Sequence, residues 1–313
     1  MKRRLYKVRT KKKVIILLGI LLLLIILTGG LAGNYMYNLS LNPNTSKEKV
    51  FGKSNSTDEV SNWILDESNY KDKVIKSGTF NLHGYEIENS NKSNVWVISV
   101  HGYGGQGSKM DSYAKGFYDM GYNVLAPDLR GHGESDGDYI GMGWDDRLDI
   151  LKWIDYILEK DSDSKIILHG VSMGAATVMM TSGEKLPDNV KCIIEDCGYT
   201  SVWDEFSHQL KSLFNFPEVP IMQFTNIIGR IRAGYWFSDA SAIEQIKKCT
   251  TPMMFIHGDE DKFVPYNMLD KLYDEGKMEK EKVVFEGAEH AKALNSNPDL
   301  YWKSVEYFIN RYL

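Results

Sequence analysis

Five residues, Gly170-Val171-Ser172-Met173-Gly174, stand between a strand-like apolar run, Lys165–His169 (KIILH), and a helix-forming one, Ala175–Met180 (AATVMM). A strand that turns directly into a helix reverses so sharply that side chains two residues either side of the apex would collide, and both of those positions are glycine. The strained turn lifts the Ser172 hydroxyl clear of a sheet edge. It also sets the Met173 N–H at a helix N-terminus, aimed at any oxyanion formed there. In another context the pentapeptide would be a glycine-rich turn with an incidental serine. Here the flanks match the mechanism, and Ser172 is the candidate nucleophile.

The chain from about residue 72 onward supplies the sheet that such a turn needs. Strands are expected at Val74–Phe80, Tyr85–Glu88, Val95–Val100, Asn123–Ala126, Lys165–His169, Val190–Glu195, Met253–His257 and Lys282–Phe285. Helices are expected at about Met110–Met120, Trp144–Glu159, Ala175–Ser182, Asn267–Asp274 and Pro298–Arg311. This alternation predicts an α/β fold, a mostly parallel central sheet flanked by helices. From Tyr199 to about Lys248 the rhythm breaks into helical, aromatic-rich sequence between two strands. Over an α/β sheet such an insertion is expected to form a lid.

A serine needs a base to become nucleophilic. Met253–His257 runs into Gly-Asp-Glu-Asp-Lys-Phe-Val-Pro, and Lys282–Phe285 runs into Glu-Gly-Ala-Glu-His-Ala. Both segments leave strands at the same sheet edge as Ser172. His290 is the candidate base, accepting the serine proton and returning it to the leaving group. A carboxylate on its other ring nitrogen would fix the tautomer, and Asp259, Glu260 and Asp261 are all within the first segment.

Here the chain resembles the α/β-hydrolase superfamily over about residues 72–313. Four separated motifs carry the resemblance: His101-Gly102-Tyr103-Gly104-Gly105, Asp128-Leu129-Arg130-Gly131-His132-Gly133-Glu134-Ser135, the Ser172 turn, and HGDEDKFVP (residues 257–265) with the later His290. Within the superfamily it is similar to the lid-bearing esterases, monoacylglycerol lipases and S33-type serine peptidases. The resemblance implies a Ser–acid–His order along the chain, with Asp261 as the acid and Asp259 and Glu260 as surface residues. Glu195 and Asp196 occupy an alternative acid position used by some relatives. The resemblance also implies the Tyr103 N–H as the second oxyanion donor beside that of Met173.

The insertion places Trp203, Phe206, Leu210 and Leu213 on one helical face. That stripe packs the insertion onto the body, or lines an apolar acyl pocket, or does both, so Trp203, Phe206 and Leu210 are candidate substrate-binding residues. The other histidines read as structural: His101 and His132 in turn motifs, His169 and His257 at strand ends, His208 on the insertion and His83 ahead of the main motifs. None of them joins spaced acids in a metal-ligand pattern, so neither a metal nor a cofactor is expected. Three cysteines, Cys192, Cys197 and Cys249, are too few and too oddly spaced for a disulfide framework.

The N-terminus points to a membrane. Val14–Leu27 is unbroken apolar sequence, and no charge appears from Val14 until Lys47. Residues 14–34 are long enough to cross a hydrocarbon core of ~30 Å at ~1.5 Å per helical residue. The expected organisation is a basic cytoplasmic segment at 1–13, a signal-anchor at 14–34, a tether at 35–71 and the catalytic domain at 72–313. Tyr35 and Tyr37 would lie at the interface, and the eight basic residues before Val14 would hold the N-terminus inside, leaving the domain outside the cytoplasm. The alternative is a signal peptide cleaved near Ala32, after the small-x-small Gly30-Leu31-Ala32. Past residue 33 the chain carries 29 basic against 42 acidic residues, a balance opposed to nucleic-acid binding.

These features predict a membrane-anchored serine hydrolase that cleaves carboxylic esters through an acyl-enzyme. An S33-type aminopeptidase is the alternative, with Asp204, Glu205 and Glu218 available to hold a substrate amine. A catalytically inactive surface binding module is a third possibility, whose mark would be a broken triad.

Overall fold

The computed structural model describes residues 2–47, 50 and 62–313, with side chains from Lys11 onward. Part of the expected tether (48, 49 and 51–61) and the side chains of Lys2, Arg3, Arg4, Lys7 and Arg9 lie outside the described residues. A long helix α1 (Lys2–Leu41) and a short α2 (Trp63–Asp66) precede the sheet. Then come β1 (Lys71–Ser77), β2 (Phe80–Ile87), β3 (Val95–Val100), α3 (Asp111–Asp119), β4 (Asn123–Pro127) and α4 (Asp146–Lys160). The middle of the chain forms β5 (Lys165–Val171), α5 (Met173–Ser182), β6 (Val190–Asp196), α6 (Val202–Phe214), α7 (Glu218–Arg232) and α8 (Ala242–Ile246). It closes with β7 (Met253–Gly258), α9 (Asn267–Glu275), β8 (Lys280–Phe285), α10 (Ala293–Ser296) and α11 (Pro298–Ile309).

The eight strands form one sheet in the order β1-β2-β4-β3-β5-β6-β7-β8. Only β2 runs against its neighbours. Alternate residues of a strand enter opposite cores: Trp96, Ile98 and Val100 of β3 pack with α4 residues, whereas Val95 and Val97 pack with α3 and α11 residues. Both faces are covered, so the central strands read as continuous apolar runs. One expectation was wrong at the edge. Val74–Phe80 is not one strand but a hairpin, turning at Gly78-Thr79 so that Ser77 pairs with Phe80. Gly78 supplies the positive φ that the turn requires, 60°.

Helices α6, α7 and α8 occupy the interval between β6 and β7, where the insertion was expected. The Ser201 hydroxyl caps α6 by accepting from the Asp204 N–H at 3.0 Å.

Helix α1 departs from the expected organisation. Val14–Leu27 is exposed, but the helix does not end at residue 34 and residues 35–41 are not a tether. Tyr37, Leu39 and Leu41 are buried against the body, so Tyr37 is not an interfacial aromatic, while Tyr35 remains exposed. The Leu41 carbonyl accepts from Ile140 N–H at 2.8 Å. Burial of these apolar side chains outweighs the coil preference of the surrounding Asn and Ser. Lys47 Nζ donates to the Leu39 and Asn42 carbonyls at 3.0 and 2.9 Å, placing a cation at the helix C-terminus.

A seam joins α1 to α7. A Cβ on Gly33 would lie 2.7 Å from the Phe224 backbone, and one on Gly29 would lie 2.1 Å from the Phe224 ring. Small residues four apart let two helices approach this closely. Beyond the notch, Arg232 donates to the Asn34 and Asn38 side chains at 3.0 and 2.9 Å and lies over the Tyr37 ring. Gly33→Leu is expected to force α7 outward at a cost of ~1–3 kcal/mol, seen as a lower Tm of the detergent-solubilised chain. An unchanged Tm would show that the seam contributes nothing.

Candidate active site

Ser172 occupies the apex between β5 and α5 with φ 57° and ψ −115°, a backbone region that serine avoids. The glycines act as the sequence implied: a Cβ on Gly170 would meet the Gly174 carbonyl oxygen at 2.2 Å, and one on Gly174 would meet that of Val100 at 2.1 Å. The Ser172 N–H donates to the Asp196 carbonyl at 2.8 Å, tying the turn to the end of β6.

Ser172 Oγ lies 2.8 Å from His290 Nε2, and His290 Nδ1 lies 2.7 Å from Asp261 Oδ2. The other Asp261 oxygen accepts from the Phe263 and Val264 N–H groups, both at 2.9 Å. His257, expected as a structural strand-end residue, also approaches Asp261 Oδ2, at 3.2 Å, while bonding the Val264 carbonyl. Burial would raise the Asp261 pKa, but hydrogen bonds from His257 and His290 outweigh it and hold the carboxyl down to about 2. The alternative acids are not hydrogen-bonded to His290. Glu195 accepts from the Gly198 N–H, and burial pushes Glu195 up to about 8 and Asp196 to about 6. Asp259 and Glu260 are exposed.

The loop after β3 lies against the serine: a Cβ on Gly102 would come within 3.4 Å of Ser172 Cβ. Two buried histidines hold this loop. His101 accepts from Leu129 N–H and bonds the Gly102 carbonyl, and His132 accepts from Gly104 N–H and bonds the Arg130 carbonyl. Each pattern requires a neutral ring with the proton on Nδ1. Burial lowers both pKa values, that of His132 to about 3. His169 is likewise buried, between Ser99 and Tyr301, and His208 bonds the Lys262 carbonyl. His83 lies between Asp128 and Asp72; burial opposes its charge, but the two carboxylates raise it to about 8.

Ser172, Met173 and Tyr103 open into an apolar cavity of about 720 Å³, counting its mouth. Phe206 and Leu210, the candidate substrate-binding residues, line it. Trp203 does not: it is half-buried against the core, and its indole N–H donates to Glu218 at 3.2 Å. Sequence reasoning missed Met36, Leu39 and Ser40 of α1, which form part of the wall, and the Tyr103 hydroxyl donates to the Ser40 carbonyl at 2.6 Å. Their one signal was the apolar spacing of Met36 and Leu39 inside a polar-looking segment. Cys197, Asp261 and His290 offer ligand atoms within 4.8 Å of one another. The fit to a cation is poor, because burial holds the thiol well above its ordinary range and the other two groups bond each other.

Glu205 also faces the cavity. Its Oε1 accepts from Gln209 at 2.8 Å, Oε2 has no partner among the described residues, and burial pushes the carboxyl up to about 8. A carboxyl that gains proton affinity on folding stabilises the fold fully below its unfolded pKa of ~4.3, and that contribution is lost as pH rises through the folded value. Glu205→Gln should therefore match the parent Tm at low pH and exceed it increasingly up to about pH 8. A gap that does not change with pH would mean Glu205 is already ionised at neutrality.

Residues 95–218 match a family described as alpha/beta hydrolase fold. The uncharacterized protein YqkD of Bacillus subtilis is 27% identical over 232 residues, 74% of this chain and 76% of that protein. Dipeptidyl-peptidase 5 of Aspergillus oryzae is 30% identical over 218 residues, 64% of this chain but only 29% of the peptidase. An esterase of Pyrococcus furiosus superposes with a TM-score of 0.65 at 24% identity, covering 78% of this chain and 91% of the esterase. With the matched stretch running from β3 to the start of α7, and with the sheet shared with the esterase, the chain has the α/β-hydrolase fold.

Proposed function

We propose that the chain is a membrane-anchored serine hydrolase that cleaves carboxylic esters. The observation that carries this is the unbroken hydrogen-bonded chain from Ser172 through His290 to Asp261, with Ser172 lining an apolar cavity. Ser172 Oγ attacks the ester carbonyl carbon while its proton passes to His290 Nε2. The carbonyl oxygen becomes an oxyanion held by the Met173 and Tyr103 N–H groups. Collapse breaks the bond to the leaving alcohol, which takes the proton from His290. Water then gives a proton to His290 and attacks the acyl-enzyme, and the serine leaves with that proton. Asp261 holds the ring and stabilises the imidazolium in both halves.

In this reading α1 anchors the chain through residues 14–34, with the basic residues 1–13 inside and the domain outside, and the insertion at 199–248 serves as a lid. The helix satisfies the length and composition of a membrane span. A signal peptide passes the same test. Phe206 and Leu210 receive the acyl part of the substrate.

An aminopeptidase is the second reading, and Glu205 favours it, since Oε2 is buried in the cavity without a partner among the described residues. The peptidase relative points the same way. Holding a substrate ammonium would require Glu205 ionised, which its burial opposes, so ester cleavage is preferred. Parallel p-nitrophenyl ester and p-nitroanilide panels separate the two.

A fluorophosphonate probe should label the parent and not Ser172→Ala; failure to label folded parent protein in lipid would favour the inactive binding module. Asp261→Asn should lower kcat by roughly 10⁴ through the wrong histidine tautomer, with far smaller losses for Glu195→Gln and Asp196→Asn. Equal losses at the three acids would move the acid's role away from Asp261.

A further inference from the structure

We infer that α7 sits in the surface of the membrane that holds α1, and that the cavity takes its acyl ester from the lipid phase. This rests on the anchored-esterase reading and adds to it the physical state of the substrate and its route of entry.

A hydrocarbon core of ~30 Å takes up ~20 helical residues, so a span beginning at Val14 reaches its outer boundary near Gly33. That is the level at which α7 is docked, with the Phe224 ring beside Gly29 and its backbone beside Gly33. Ile227 and Ile231 follow Phe224 at i+3 and i+7 and share its face. They are 44% and 72% exposed, and Phe216 and Val219, at the entry to α7, are 45% and 66% exposed. The ridge thus continues an apolar surface that begins on α1. Arg230 and Arg232 stand next to Ile231, placed as cations are at a lipid phosphate layer. The acidic balance of the rest of the domain gives this cationic, apolar edge a distinct character.

The cavity ends at the same place. Ser172 and Met173 line it together with Met36 and Leu39 of α1 and Leu213 and Ile221 of the insertion. An acyl chain entering between α1 and the insertion would pass from hydrocarbon to the serine without crossing water, which removes the cost of exposing it. The substrate class is therefore a membrane-resident ester with a long acyl chain.

The test uses the full-length chain in vesicles of three parts phosphatidylcholine to one of phosphatidylglycerol. Its three cysteines are buried, so an engineered cysteine can be labelled alone. An NBD label on Ile231→Cys should be quenched by nitroxide lipids severalfold more than one on Ser162→Cys, which lies in the exposed loop at the opposite sheet edge. Equal quenching overturns the proposal, as does an Ile231→Cys disulfide between two chains in place of quenching. The Ile227→Asp/Ile231→Asp variant should lose ~10-fold or more activity on a long-chain ester in vesicles while keeping its activity on soluble p-nitrophenyl butyrate. Loss of both activities or of neither overturns the route of entry. A parent that cleaves neither ester yet shows the quenching would overturn the esterase reading and leave the membrane seat of α7 standing.

Discussion

The backbone at Ser172 is held in a conformation that costs a serine ~1–3 kcal/mol, and the carboxyl edge of the sheet is arranged around it. Relaxed to an ordinary β or α conformation, the residue would withdraw its hydroxyl from His290 and swing the start of α5 off the sheet. The surroundings leave it no such choice. Gly170 and Gly174 pass so close to backbone that no side chain fits, and the Ser172 N–H is spent on the Asp196 carbonyl. Well-packed strands on both sides of β5 supply the stability that offsets this local strain.

One sheet edge also sorts its carboxyl groups. Asp261 receives two backbone N–H groups and two histidines, and stays ionised despite burial. Glu195, Asp196 and Glu205 are equally buried but lack that company, and burial drives them toward the neutral form. The result is a single low-pKa carboxylate beside the ring that would become cationic, which is the arrangement an acyl transfer needs.

The second organising contact is the seam between α1 and α7. The end of α1 contributes cavity wall, fixes the Tyr103 hydroxyl through the Ser40 carbonyl, and receives Lys47 on its last carbonyls. Cleavage near Ala32 would remove the Gly29 contact but leave Gly33–Leu41, and with it the wall. The body therefore keeps the α1 part of its cavity wall under either fate of the N-terminus.

Local patterning determined much of this protein. Glycine spacing around Ser172 marked the turn, because only glycine tolerates that approach of backbone, and apolar runs marked five strands whose two faces are both covered. The β1–β2 hairpin escaped because Gly78-Thr79 sits inside what looks like a continuous strand. His290 and the segment holding Asp261 were legible as groups following strands, but choosing Asp261 from its neighbours leaned on family resemblance, since spacing alone cannot say which carboxylate meets the ring. Only tertiary structure decided that His257 shares Asp261, that Phe206 and Leu210 line the cavity while Trp203 packs on the core beside it, and that Glu205 faces the cavity. It also turned residues 35–41 from tether into cavity wall. Burial and pairing across tens or hundreds of residues are set by where helices dock, and neither periodicity nor propensity carries that information.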